Sequence, residues 1–97
     1  MLLHIFKHGL NHDFLLQKLI NNFIKNSNNT LLLIQNGVYW GTYLKTIDFL
    51  EFIPIYALQQ DIDAREIAFL FKDHKIKLIN YAKFVELVLN HDKIINW

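Results

Sequence analysis

Three histidines, His4, His8 and His12, recur at four-residue intervals near the start of the chain. On a single helix that spacing would line up imidazoles on one face, the beginning of a zinc site, which needs three or four convergent ligands. Here His4 falls within Leu-Leu-His-Ile-Phe, which reads as a strand, and Gly9 interrupts the next segment. The even spacing therefore does not become convergence, and the expected structure is a strand and a loop carrying polar histidines.

Other candidate chemistries are weaker still. Gln35-Asn36-Gly37 comes after the apolar block 31–34, at the carboxyl end of an expected strand, where α/β folds place ligands. Phosphate-cradling loops need more glycines, and the P-loop ends in Gly-Lys-Ser/Thr; Gly37 and Gly41 satisfy neither pattern. Gly37 is then expected to take positive φ in a tight turn. Asp48, Asp61 and Asp63 do not make a receiver-type acidic pocket, because Lys7-His8 stands where its first acidic residues would follow the first strand. Ser27, Thr30, Thr42 and Thr46 have no His or carboxylate at a spacing that suggests an activated nucleophile. Lys72, His74, Lys75 and Lys77 form a modest basic cluster that reads as a solvated turn. Tyr39, Trp40, Tyr43 and Trp97 belong to the types enriched at binding hot spots, and they are the expected subunit-interface residues.

The elements that would position these residues are marked by periodicity. Residues 1–6 form an apolar run ending at Lys7-His8-Gly9, a strand and then a loop. Phe14, Leu15, Leu16, Leu19, Ile20, Phe23 and Ile24 have helix spacing with a wide apolar stripe, ended by the Asn-Ser-Asn-Asn turn at 26–29. Residues 31–34 lack alternation, as in a strand covered on both faces. Tyr43, Leu44, Ile47 and Leu50 are again spaced as a helix, closed by Pro54, which opens a third strand at 55–58. Residues 61–66 read as a helix start, acidic near the positive end of the dipole, with Asp63 and Glu66 at capping-pair spacing. A polar turn at 72–75 precedes a fourth strand at 76–80. Tyr81, Phe84, Val85, Val88 and Leu89 then make the clearest helical stripe, and 91–97 read as a short tail. The order β-α-β-α-β-α-β-α predicts a mostly parallel sheet with right-handed crossovers.

Composition sets the bounds. The 97 residues make one domain, 1–97, with 53% hydrophobic and 14% aromatic residues, including eight Phe, four Tyr and two Trp. A chain of this size buries roughly 60–65% of its unfolded surface, so this many large apolar groups implies an exposed patch and hence a partner. The net charge of +1 gives no electrostatic case for nucleic acid or a membrane surface. There is no cysteine, which removes disulfides, thiolate chemistry and Cys-ligated metal. No apolar run approaches the ~20 residues of a span, and the N-terminus is too interrupted for a signal peptide, so a cytoplasmic protein is expected.

Four stretches, taken in order, resemble the TusB/DsrH family of sulfur-relay subunits. Leu3-His4 is similar to that family's Leu-His opening on the first strand. LLLIQNGV at 31–38 is similar to its LLLxxDGV strand and turn, with Asn36 where Asp is common. PIYALQQDIDAR at 54–65 resembles its strand, polar segment and Ala-Arg. Ile79, Asn80, Tyr81, Phe84, Val85 and Leu87 are similar to its I-D-Y-x-x-F-V-x-L helix, followed by a tail ending in Trp97. The chain departs from the pattern at Gly9 and over 72–75.

The resemblance implies a small three-layer α/β/α domain of the DsrE/DsrF/DsrH-like kind. It implies assembly with TusC-like and TusD-like subunits into a heterohexamer, two copies of each, that passes persulfide sulfur toward 2-thiolation of the tRNA wobble uridine. The acceptor cysteine belongs to the TusD-like subunit. Some relatives have a cysteine in the first helix, but Phe14-Leu-Leu-Gln-Lys-Leu19 has none. The expectation is a non-catalytic subunit without a cofactor or direct nucleic-acid contact. Two alternatives stand behind it: a ligand-binding module using the Gln35-Asn36-Gly37 corner, and, last, an enzyme with an unrecognised Ser or His site.

Overall fold

The computed structural model describes residues 2–25, 28–44, 46, 53–72 and 75–97. Five strands, β1 (Leu2–Phe6), β2 (Asn29–Leu33), β3 (Ile55–Leu58), β4 (Lys77–Ile79) and β5 (Lys93–Asn96), form one sheet in the order β4-β3-β2-β1-β5. Every pairing is parallel; Leu3 stands opposite Thr30 and Ile94, and Leu31 opposite Ile55. The helices are α1 (Asp13–Lys25), α2 (Gly41–Leu44), α3 (Gln59–Ala64) and α4 (Tyr81–Asn90), with 3₁₀ turns at Leu10–His12, Gln35–Trp40 and Ala68–Phe71.

The strand order determines the layers. β1 to β4 advance in one direction, so right-handed crossovers put the first three connections on one face. The return from β4 to β5 runs the opposite way and puts α4 on the other. Two apolar clusters match this division. One joins Phe6, Leu31, Leu33, Ile55 and Ala57 to Leu16, Leu19, Ile20 and Phe23 of α1 and to Val38, Trp40, Leu44, Ile62 and Phe71. The second joins Leu3, Ile5, Leu32 and Ile79 to Leu87, with Phe84 and Val88 packed against it. Residues 29–33 are buried throughout, which explains why this central strand shows no alternation. The expected α/β architecture is therefore present, with a parallel sheet between helical layers.

Several local expectations are corrected. The tail contains β5, whose backbone pairs with β1 although only Ile94 and Ile95 of its four residues are apolar. The helix expected to start at 61 starts two residues earlier, with Asp61 in its first turn, and ends at Ala64, so Asp63 and Glu66 do not form a capping pair. α3 begins at Gln59, no side chain caps it at Leu58, and the chain leaves it through Glu66 at φ 54. The fourth strand is confined to Lys77–Ile79, and the first helical stripe leaves Phe14 68% exposed. The second helix spans Gly41–Leu44; its expected continuation through Ile47 and Leu50 lies outside the described residues.

α4 begins as its sequence dictates. The Asn80 side chain accepts the Lys83 amide at 2.9 Å, satisfying one of the donors that a helix start leaves free. Asn80→Ala should cost about 1 kcal/mol, read as a lower urea midpoint with an unchanged slope.

Candidate functional site

The carboxyl ends of β1, β2 and β3 meet at the corner that contains Gln35-Asn36-Gly37. Ile34 donates its amide to the Phe6 carbonyl at 3.1 Å, and Gly37 donates to Ile34 at 2.9 Å, so the chain turns tightly against the end of β1. Positive φ is taken by Gln35, at 50°, and not by Gly37. The requirement for glycine at 37 is close approach: a Cβ there would overlap the Phe6 carbonyl oxygen and lie 2.9 Å from its carbon. The expected conformational role of Gly37 is thus replaced by a steric one.

Several polar groups of this corner are paired within the chain. The Gln35 amide donates to Asp61 Oδ2 at 2.7 Å, the position an anionic ligand would need. Arg65 donates through Nε and Nη2 to Asn36 Oδ1 at 3.0 and 2.9 Å, and through Nη1 to the Asp61 carbonyl at 2.9 Å. Its guanidinium also lies 3.7 Å from the Asp61 carboxylate and 5.9 Å from the centre of the Tyr39 ring. This arrangement staples α3 to the end of β2. With a carboxylate already on the free amide and a guanidinium already on the amide oxygen, it offers a phosphate little that is unoccupied.

Of the three histidines, His8 and His12 come together while His4 lies apart. His8 and His12 rings approach to 4.7 Å between centroids, and His12 Nδ1 pairs with Asn11 Oδ1 at 2.9 Å. His4 lies apart and wholly buried, with Asn29 Oδ1 2.7 Å from its Nε2, the Trp97 indole donating to its Nδ1 at 3.0 Å, and Phe23 edge-on at 5.0 Å. Burial holds the His4 imidazole below its ordinary value of 6.5, with the Asn29 hydrogen bond acting in the opposite sense. Among the described residues no three metal-ligating side chains converge.

Of the other candidates, Asp63 pairs with Gln59 at 2.8 Å, and the Thr46 hydroxyl donates to the Tyr43 carbonyl at 2.7 Å. Thr30 is buried against His91. Lys72, Lys75 and Lys77 are exposed; Ser27, Asp48 and His74 lie outside the described residues, as does the side chain of Thr42.

The aromatic set divides. Tyr39 and Tyr43 are exposed, whereas Trp40 is core, 7% exposed, with its indole donating toward the His8 and Gly9 carbonyls at 3.0 and 3.2 Å. Trp97 is half-buried over His4. Exposed apolar groups include Phe14 on α1, Phe69 after α3, and Tyr81, Val85 and Leu89 on α4; the sequence placed Phe14 and the three α4 residues in helical apolar stripes, and the structure turns them outward. The last three recur at i, i+4 and i+8 on a face opposite Leu87. A stripe too wide for one helix face was the available signal.

No helix among the described residues is long and apolar enough to cross a membrane. A family model described as "DsrH like protein" matches residues 15–94. Protein TusB of Serratia proteamaculans (strain 568) is 42% identical over 72 residues, covering 69% of this chain and 73% of that protein. The crystal structure of the ychN protein from E. coli superposes with a TM-score of 0.79 over 99% of this chain and 97% of that one, at 15% identity. That last likeness concerns the fold.

Proposed function

The chain belongs to the DsrH-like family, which ties it to sulfur relay, and from that premise we propose that residues 1–97 act as a single non-catalytic subunit of a relay complex. The observation that carries this reading is the pairing of family membership with a sequence that has no cysteine. A travelling persulfide must sit on a thiolate, and no other side chain here substitutes for one. The partners are TusC-like and TusD-like subunits in a cytoplasmic heterohexamer with two copies of each. The sulfur passes along a partner's cysteine toward 2-thiolation of the tRNA wobble uridine. This chain braces that partner, needs no cofactor and does not itself bind the tRNA.

Support for bracing comes from the surface. Tyr39 and Tyr43 present aromatic area on one helical layer, and Tyr81, Val85 and Leu89 present an apolar stripe on the other. Within the expected interface set, Tyr39 and Tyr43 make the contacts, while Trp40 and Trp97 hold the underlying backbone in place. A net charge of +1 suits apolar protein contacts better than a polyanion.

Co-expression with TusC-like and TusD-like chains, followed by mass measurement of the purified assembly, tests the proposal. This chain is expected in a stoichiometric complex, with a persulfide-trapping reagent labelling a partner and never this subunit. A chain that purifies as a monomer in the presence of those partners, or relay that proceeds unchanged without it, overturns the reading.

A further inference from the structure

The first three crossovers run from β1 toward β4, away from β5, so on their face the edge strand has no helical connection above it. Trp97, the residue after β5, takes that place. Its amide donates to the Ile5 carbonyl at 2.9 Å, and its indole stacks on the His4 ring at 6.0 Å between centroids. An indole N–H can only donate. His4 Nδ1 must therefore present its lone pair to Trp97 and carry its proton on Nε2, which donates to Asn29 Oδ1 at 2.7 Å. Only one neutral tautomer fits. A proton added to Nδ1 would oppose N–H to N–H inside a site that water does not reach.

We propose that His4, Asn29 and Trp97 form an acid-released latch on β5: protonation of His4 expels the Trp97 indole and frees the edge strand from β1 while the rest of the sheet persists. Around His4, α1 contributes Phe23, β2 contributes Asn29 and Leu31, and β5 contributes Ile95 and then Trp97. The described charged side chains on these elements are Asp13 and Lys18 of α1 and Lys93 of β5; the imidazole's two nitrogens are already engaged by Asn29 and Trp97. His91, at the entry to β5, cannot work the same way. Its Nδ1–H donates to the Leu87 carbonyl at 2.6 Å and its Nε2 accepts from the Thr30 hydroxyl at 2.9 Å. A hydroxyl can turn and accept instead, so a proton on His91 keeps both contacts.

The direction is set by burial. The open form binds the proton near the ordinary value of 6.5 and the closed form only at lower pH. The closed form therefore has its full stability above about 6.5, and below it the open fraction rises as pH falls, by up to about tenfold per pH unit until the closed-form value is passed.

The test is amide hydrogen exchange and ¹⁵N spectroscopy on the full chain, with its partner subunits if they are needed to keep it in solution, from about pH 7.5 to about pH 5. After correction for intrinsic rates, the Trp97 amide and those of β5 should lose protection on acidification while β2 and β3 retain theirs, and the Trp97 indole resonance should shift in step. His4→Gln, which can accept from Trp97 and donate to Asn29 without titrating, should flatten the profile; His91→Gln should leave it. Protection of β5 that stays constant over this range overturns the latch, as does a His4→Gln profile equal to the parent's or a His91→Gln variant that loses the dependence. If His4→Gln does not fold, the parent's own ring nitrogens decide: Nδ1 still unprotonated after β5 has opened sinks the idea.

Discussion

Gly37→Ala is expected to be the most damaging conservative change in this chain, lowering stability by about 3 kcal/mol or more. The added Cβ would overlap the Phe6 carbonyl oxygen and lie 3.3 Å from the Lys7 Cα, all of it backbone at the end of a central strand. A side chain could swing aside; this carbonyl cannot, because it accepts the Ile34 amide at 3.1 Å. Relief requires β1 and the 35–40 turn to separate, and that loosens the anchor of Asp61 on Gln35 and of Arg65 on Asn36. Gly9→Ala is the internal control. Its Cβ would meet nothing nearer than the Asn36 Cβ at 3.3 Å, which a shift of a few tenths of an ångström relieves, against direct overlap at residue 37. Parallel urea melts should show a small loss for Gly9→Ala beside a large one for Gly37→Ala. Similar midpoints for the two would refute the close-approach account.

Phe6→Ala is expected to cost about 3–5 kcal/mol, the range for deleting a fully buried aromatic side chain. Phe6 is 0% exposed at the centre of the larger cluster, with β2 beside it and α1 above. Each kcal/mol shifts the midpoint of a domain this small by about 4–8 °C, so a fall of at least about 12 °C should be seen by circular dichroism. Against a typical total of about 5–15 kcal/mol, this one substitution would leave many such chains unfolded at 37 °C. Leu89→Ala is the contrast. Leu89 is 77% exposed, so its truncation should barely move the midpoint of the isolated chain, while in the proposed assembly it should weaken association.

The parallel β/α order was legible because periodicity reports local geometry. Helix spacing from Leu16 to Phe23 and the unbroken apolar block at residues 31–34 each require one kind of neighbourhood, and the structure supplies it. Asn80, read as the end of the fourth strand, instead caps α4 by accepting the Lys83 amide, an arrangement confined to four consecutive residues. β5 was not legible: half of it is polar, and an edge strand is held mainly by backbone hydrogen bonds, to which side-chain type contributes little. At 61–66 the sequence placed an acidic helix start correctly, since Asp61 lies in the first turn of α3. It could not show that the Asp61 carboxylate accepts the Gln35 backbone amide, 26 residues away in the chain.

What the sequence alone determined is the chemistry available and the repeating local geometry. The chain has no thiol, and alternating strands and helices with short links close into a parallel sheet. Only the tertiary structure decided which apolar groups face solvent, why residue 37 must be glycine, and that Trp97 caps His4 across a separation of 93 residues. Those outcomes depend on which distant segments share a volume. Burial, desolvation and steric overlap are properties of that shared volume, and no spacing along the chain encodes them.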